Sequence, residues 1–348
     1  MSGDPSLDVL EARTLQLGPG PTGAGAPLDR PSATAVTRRS ARRLLLPLLL
    51  LLLAALVATA CGDSEADTPA TGSGGDGHVF TIGAIPDQDP EVLQRLYGAL
   101  AEHLGEVLGV PVEYRPVTDY AAAVNLFRAG DLDMVWFGGL TGVQARLQVD
   151  GARAILQRGI DEEFRSVFIA NTDSGLTPIE DVAGLSQLAG RRFTFGSQSS
   201  TSGRLMPQYF LEQAGVGADG FAGPPGFSGS HDTTIALVES GTFEAGVLNE
   251  QVWSSRTEAG EVDLDRVTAI FRTPPYHDYH WVIRPDVAER FGDDFVSRVQ
   301  AAFLELDPAD PGGGQILDLF GALEFIETED ANYTQIEEVA RSLGLIGR

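Results

Sequence analysis

From residue 79 onward, short runs of alternating apolar and polar positions are separated by stretches of helical period. Val79 to Ile85 alternates as a strand does, Pro86 and Asp87 turn, and a helix is predicted from about Glu91 to Leu108. Val110 to Val117 then reads as a strand, Asp119 to Ala129 as a helix and Leu132 to Phe137 as a strand. Gly138 and Gly139 turn, and Thr141 to Val149 is helical. Repeated units of this kind predict an α/β fold with a mostly parallel sheet, which presents ligands at the C-terminal ends of its strands. Strands are further expected over Arg165 to Ala170, Phe193 to Phe195, Ala245 to Leu248, Ala269 to Arg272 and His280 to Ile283. Helices are expected near Ile179 to Leu188, Leu205 to Ala214, Thr233 to Ser240, Phe291 to Leu306, Gly314 to Phe320 and Tyr333 to Leu343. There is no internal repeat.

Ahead of this pattern the chain changes character. Leu44 to Ala60 is an almost pure Leu/Ala run, preceded by Arg38, Arg39, Arg42 and Arg43 and closed by Ala58-Thr59-Ala60-Cys61. This resembles a bacterial lipoprotein signal peptide, with Cys61 as the lipidated first residue of the mature chain. Cys61 is the only cysteine, so an exported chain without disulfides keeps one thiol where lipidation needs it. An uncleaved membrane anchor is the alternative, although the run is short for a span and contains Pro47. Either way the bulk of the chain is expected outside the cytoplasm. Residues 1–60 are thus an N-terminal extension and signal peptide. The extension, 1–37, is longer than signal peptides usually carry, and a misassigned start codon would explain it. Residues 61–78, rich in Gly, Ser, Thr, Asp and Ala, read as a flexible tether.

The charge balance excludes some partners. The chain has 24 basic against 49 acidic residues, a formal net charge of −25, and its basic residues are all Arg. Nucleic acid is therefore not an expected partner. Nor can such a surface steer anions by its overall field. An anion site here has to work through local dipoles and hydrogen bonds.

One stretch is built for that. In Phe193-Thr194-Phe195-Gly196-Ser197-Gln198-Ser199-Ser200-Thr201-Ser202-Gly203-Arg204, hydroxyls and small residues collect where a strand hands over to a helix. Free N–H groups at a helix start, joined by side-chain hydroxyls, suit an oxyanion. The alternative is an over-capped helix in a polar loop, since Ser and Thr are ordinary N-caps.

Several segments occur together in the order found in one family. They are Thr118-Asp119-Tyr120, Asp133-Met134-Val135-Trp136-Phe137-Gly138, the Ser-Thr-Ser-Gly core within Gly196 to Gly203, Gly229-Ser230-His231-Asp232-Thr233-Thr234, and Asp278. Over roughly 79–330 the chain resembles the substrate-binding lipoproteins of ABC importers for phosphonate, phosphite and phosphate. Val117 to Val124, Ser199 to Pro207 and Pro274 to Trp281 look closest to a branch labelled as selenate binders. The resemblance implies a type II periplasmic-binding-protein fold, two α/β lobes joined by a two-strand hinge with the ligand cleft between them. Lobe I would comprise 79–167 plus 272–348 and lobe II 168–271. It also implies an ABC permease and ATPase as partners, no cofactor and no catalysis by this chain, which is expected to act as a monomer.

Carried over residue by residue, the resemblance gives Ser200, Thr201 and Ser202 the role of gripping the oxyanion, and makes Tyr120 a hydroxyl donor. Phe137 stands where phosphonate binders commonly have a tyrosine; it can wall the pocket but not donate. His231 resembles a histidine that hydrogen-bonds the oxyanion, and Glu250 lies where phosphonate binders keep a carboxylate for a substrate amine. Arg204 could add charge, though an exposed arginine at a helix start is the plainer account. Asp278 discriminates most. A carboxylate beside an anion is repulsive unless a proton lies between them, which phosphonate, phosphite and phosphate can supply near neutral pH and selenate or sulfate essentially cannot.

Rival readings are weaker. His231, His277, His280, Asp278 and Glu250 are metal-ligand types but lack a paired-site pattern. No Gly-x-Ser-x-Gly elbow supports a hydrolase. An organic solute in the same clamp is compatible with the fold, which does not by itself fix a ligand.

Overall fold

In the computed structural model, residues 77–347 are described; the arginine and leucine run, Cys61 and most of the tether lie outside them. Two mixed sheets carry the architecture. The first contains β1 (Phe80–Ala84), β2 (Val112–Tyr114), β3 (Met134–Phe137), β4 (Arg153–Arg158), β10 (His280–Ile283) and β11 (Phe325–Glu327), in the order β11-β4-β10-β3-β1-β2. The second contains β5 (Ser166–Asn171), β6 (Phe193–Phe195), β7 (Gly226–Phe227), β8 (Ala245–Asn249) and β9 (Val267–Arg272), in the order β7-β6-β8-β5-β9. The chain leaves the first sheet after Arg158 and returns to it at His280.

The sheets are less parallel than the βαβ pattern predicts. β1 runs parallel to β2 and β3, and β6 parallel to β7 and β8. β10, however, is antiparallel to both β3 and β4, and β5 is antiparallel to β8 and β9. β5 and β10 are the strands by which the chain crosses between sheets, so neither enters its sheet through a helical crossover that would return it parallel.

The helices of the first half fall where periodicity puts them: α1 (Pro90–Leu108), α2 (Tyr120–Ala129) and α3 (Gly139–Arg146). α1 ends at Gly109 and α2 at Gly130, both left-handed, as helix C-caps favour. In the second sheet region lie α4 (Met206–Gln213), α5 (His231–Glu239) and α6 (Glu250–Glu258). The first is completed by α7 (Val287–Phe291), α8 (Phe295–Leu304), α9 (Pro311–Phe320) and α10 (Thr334–Ser342). The helix expected over Phe291 to Leu306 forms as Phe295–Leu304, and Gly292, at φ 103°, separates it from the short helix that ends at Phe291. Val182–Leu188 is a 3-10 turn. β4 escapes the pattern because its buried end is Gln157 and Arg158, and α6 because it is largely polar and capped by Asn249.

An aromatic cluster of Tyr97, Trp136, Trp281, Phe303, Phe320 and Phe325 fills the first sheet's core. Arg158 is buried beside it, holding Asp161 through two bonds of 2.7 Å and lying over the Trp136 and Tyr279 rings. Removing one member of such a buried pair costs about 3–5 kcal/mol, so the first crossover starts from a rigid point.

Candidate functional site

The Ser/Thr stretch is an irregular turn before α4. Thr201–Leu205 is a π-helical turn, in which the N–H of Met206 reaches the carbonyl of Thr201. Three residues explain it. Pro207 has no N–H, so the Gly203 carbonyl is left to accept from Gly196 at 2.8 Å. Gly196 and Gly203 approach so closely that a Cβ on either would lie 3.1 Å from the other's Cα. Ser200 caps the turn through the Gly203 N–H at 2.9 Å, and Thr201 and Ser202 are buried with it.

Facing this turn are elements of the first sheet region. The C-terminal end of β3 runs through Gly138 into α3, whose first two amides are both used. Gly139 N–H donates to Asp278 Oδ1 and Leu140 N–H to Thr201 Oγ1, each at 2.9 Å. Asp278 lies just before β10 and is 1% exposed. A side chain at 138 would meet both Thr201 Oγ1 and Asp278 Oδ1, so the glycine there lets the two approach. Burial pushes the Asp278 carboxyl up to about 7, against the pull of the Gly139 N–H and the Thr201 hydroxyl.

Two oxygens of these residues, Ser202 Oγ and Asp278 Oδ2, and the hydroxyl of Tyr120, which starts α2 and lies near Ser200 and Asp278, are buried without a hydrogen-bond partner. An orphaned buried polar atom costs about 1–3 kcal/mol, and such atoms are few in native proteins. Other orphaned atoms lie elsewhere, Gln157 Nε2, Trp281 Nε1 and Arg290 Nε among them, but these three belong to residues the sequence singles out as one site: two hydroxyl donors and a carboxyl that near neutral pH can either give or accept a proton. Free hydroxyls and a carboxyl whose pKa burial raises suit a small oxyanion carrying an acidic hydrogen.

The other sequence-predicted residues stand further back. His231 is buried at the start of α5 with both ring nitrogens engaged. Nδ1 accepts from Asn249 N–H at 3.4 Å, which leaves Nε2 to donate to Tyr279 OH at 3.2 Å. Burial holds its pKa down to about 3, so it stays neutral. Phe137 is fully buried with its ring edge-on to Phe127 at 5.7 Å, in the core beneath α2. Glu250, at the start of α6, is ion-paired with Arg272. Arg204 lies over the Phe227 ring at 4.9 Å.

Sequence reasoning missed Asp87, Asn249 and Tyr279. The Tyr279 hydroxyl donates to Asp87 Oδ2 at 2.9 Å and accepts from Asn249 Nδ2 at 3.0 Å. Together with the His231 main-chain N–H on Asp87 O, at 2.9 Å, these bonds join the two sheet regions across the cleft. Burial raises Asp87 to about 6. Beyond Tyr279 the cleft opens into a cavity of about 110 Å³ lined by Asp87, Trp136, Arg158, Asn249, Gln251 and Phe320. The Tyr279 signal was readable as its position next to Asp278; Asp87 and Asn249 had none beyond their places at strand ends. Among the described residues no three His, Cys, Asp or Glu side chains gather as a metal-ligand cluster, and no helix is long and apolar enough to cross a membrane.

Comparison with known proteins gives a consistent picture. Residues 82–333 match the family described as ABC transporter, phosphonate, periplasmic substrate-binding protein. The chain is 49% identical over 269 residues to the "Probable ABC transporter phosphite binding protein PhnD1" of Prochlorococcus marinus, covering 77% of this chain and 91% of that protein. It is 30% identical over 232 residues to the phosphate-import protein PhnD of Mycolicibacterium smegmatis, covering 63% of this chain and 70% of that one. The solved structure of the Prochlorococcus protein in complex with methylphosphonate superposes with a TM-score of 0.76 at 48% identity, over 77% of this chain and 99% of that one. A Pseudomonas aeruginosa phosphonate-transporter binding protein shares the fold at 19% identity, with a TM-score of 0.64 over 76% of this chain and 86% of that one.

Proposed function

This chain belongs to the ABC transporter periplasmic phosphonate-binding protein family, and from that membership we propose that it captures a phosphite- or phosphonate-class oxyanion outside the cytoplasm and delivers it to an ABC permease and its ATPase. The observation that carries this reading is the trio of orphaned buried oxygens, Tyr120 OH, Ser202 Oγ and Asp278 Oδ2, around the Ser200–Thr201–Ser202 turn. Each hydrogen bond to a charged group contributes about 1.5–3 kcal/mol, so a few neutral donors can hold an anion without lysine. The protein's acidic surface is no obstacle, because these donors act only at contact range.

In this reading Ser200, Thr201 and Ser202 take the oxyanion head first, from a lobe spanning 168–271. Tyr120 and Asp278, from a lobe spanning 79–167 and 272–348, engage it on closure. Only the closed form makes both sets of contacts, so ligand shifts the population toward it and the permease reads that form. Phe137 backs the pocket from the core, and His231 acts through the Tyr279 hydroxyl. Glu250 lies at the rim. The chain makes and breaks no bond, works as a monomer and is tethered to the outer face of the membrane by lipid on Cys61.

Asp278 sets the ligand class: with a pKa of about 7 it can share one proton with a ligand that still has one to share. Calorimetric titration with methylphosphonate, aminoethylphosphonate, phosphite, phosphate, selenate and sulfate tests this. Tight binding confined to phosphorus oxyanions supports the reading. Tight binding of selenate or sulfate would overturn it.

A further inference from the structure

Two residues beyond Asp278, His280 is completely buried and has no part in the reading above. Its Nδ1 lies 2.9 Å from the main-chain oxygen of Asp278. A carbonyl only accepts, so Nδ1 carries the hydrogen and the lone pair sits on Nε2. Burial, helped by the nearby Arg146 charge, holds the ring's pKa well below the ordinary value, so it remains neutral. Nε2 is without a partner. The ring instead presses on α3: a Cβ at Gly142 would fall 2.3 Å from Nε2. One face stacks on Tyr333 at 3.7 Å, and the Tyr333 hydroxyl is itself fixed by donation to Gln157 Oε1 at 2.8 Å.

His280 thus touches both pieces whose alignment makes the anion site. One is the main chain of Asp278. The other is α3, whose first two amides hold Asp278 Oδ1 and Thr201 Oγ1. We infer that His280 is a positioning residue for ligand selection: its Nδ1–H fixes the Asp278 main chain while its ring sets how closely α3 approaches, so that Asp278 Oδ2 is held in register with Thr201 and Ser202. A core-filling histidine would also bond its Nδ1–H; what sets this one apart is that the bond goes to the main chain of Asp278, that Nε2 is left without a partner, and that the ring meets a bare glycine of α3. The inference rests on the reading of Asp278 as the ligand's proton-sharing partner.

A double-mutant cycle read by methylphosphonate titration tests it. His280→Phe keeps a stacking ring but has no donor, and should raise Kd about 10-fold, or about 1.4 kcal/mol. In the Asp278→Asn background the same change should add nothing, since the residue it positions has lost its role. His280→Asn, whose amide can replace the Nδ1 donor, should restore Kd to within about 3-fold of the original protein. If His280→Phe does not fold, Gly142→Ala, which displaces the ring while keeping the histidine, carries the same non-additivity prediction. Unchanged affinity in His280→Phe, or losses that simply add in the double variant, would overturn the positioning role while leaving the ligand assignment intact. Unchanged affinity in Asp278→Asn would overturn the ligand assignment and this inference with it.

Discussion

Replacing Asp278 by Asn should weaken phosphonate binding and at the same time stabilise the ligand-free protein at alkaline pH. The binding loss follows from chemistry. In the variant Oδ1 stays with the Gly139 N–H and Nδ2, which only donates, replaces Oδ2, so the ligand's acidic hydrogen has no acceptor and one charge-assisted bond of about 1.5–3 kcal/mol disappears, about 10- to 150-fold in Kd. The stability gain follows from burial, which raises the carboxyl from 3.8 to about 7. At 1.36 kcal/mol per pH unit this amounts to about 4 kcal/mol against the ionised form. The native carboxyl keeps a proton that the unfolded chain gives up. Its stabilising contribution is therefore complete below the unfolded value of 3.8 and is lost as pH rises to about 7. The Asn variant has no proton to lose. Comparing how the difference between the two proteins changes with pH cancels any fixed cost of the buried amide. From about pH 4 to about pH 8.5 that difference should move by about 4 kcal/mol in favour of the variant, several degrees in Tm for a chain of this size. Thermal melts across pH without ligand, and titrations with methylphosphonate and sulfate, read both effects. Parallel melting curves for the two proteins, together with undiminished methylphosphonate binding, would refute the reasoning.

Four further outcomes are expected. Ser202→Ala removes an orphaned hydroxyl, so it should lower affinity with little or no loss of Tm. Thr201→Ala should lower both, because it strands the buried Leu140 N–H at about 1–3 kcal/mol; equal effects of the two on Tm would count against the bonding described. Glu250→Gln should leave the ratio of aminoethylphosphonate to methylphosphonate affinity unchanged, since Glu250 is committed to Arg272; a selective loss of aminoethylphosphonate binding would show that it meets the amine. Gly203→Ala places a Cβ 2.9 Å from Ser200 Oγ and should cost about 1–3 kcal/mol in stability as well as affinity, measured by denaturant unfolding and titration; a neutral variant would mean the turn is not closely packed.

The residues proposed for the site were legible where chemistry is local. Hydroxyls concentrated before a helix, the glycines that let two backbones meet, and Asp278 in its family context pointed to Thr201, Ser202, Tyr120 and Asp278 as the proposed site, and of these Thr201 and Asp278 accept from successive amides of α3. The strand and helix order of the first half followed from periodicity for the same reason, since side-chain alternation is a property of neighbours in sequence. His231 and Glu250 show where this stops. Their residue types fit an anion and an amine, but which partner each would meet depended on Asn249, Tyr279 and Arg272, brought close only by folding.

By itself, then, the sequence determined the α/β class, the family, the acidic balance that forces an anion site to be local, and the donors able to make one. The tertiary structure decided the antiparallel course of β5 and β10, the Asp87–Tyr279–Asn249 bridge across the cleft, and the raised pKa of Asp278. The reason is common to all three. Strand direction on crossing between sheets, a hydrogen bond between residues 192 apart, and the desolvation of a carboxyl are set by what surrounds a group in space, and no window along the chain contains that information.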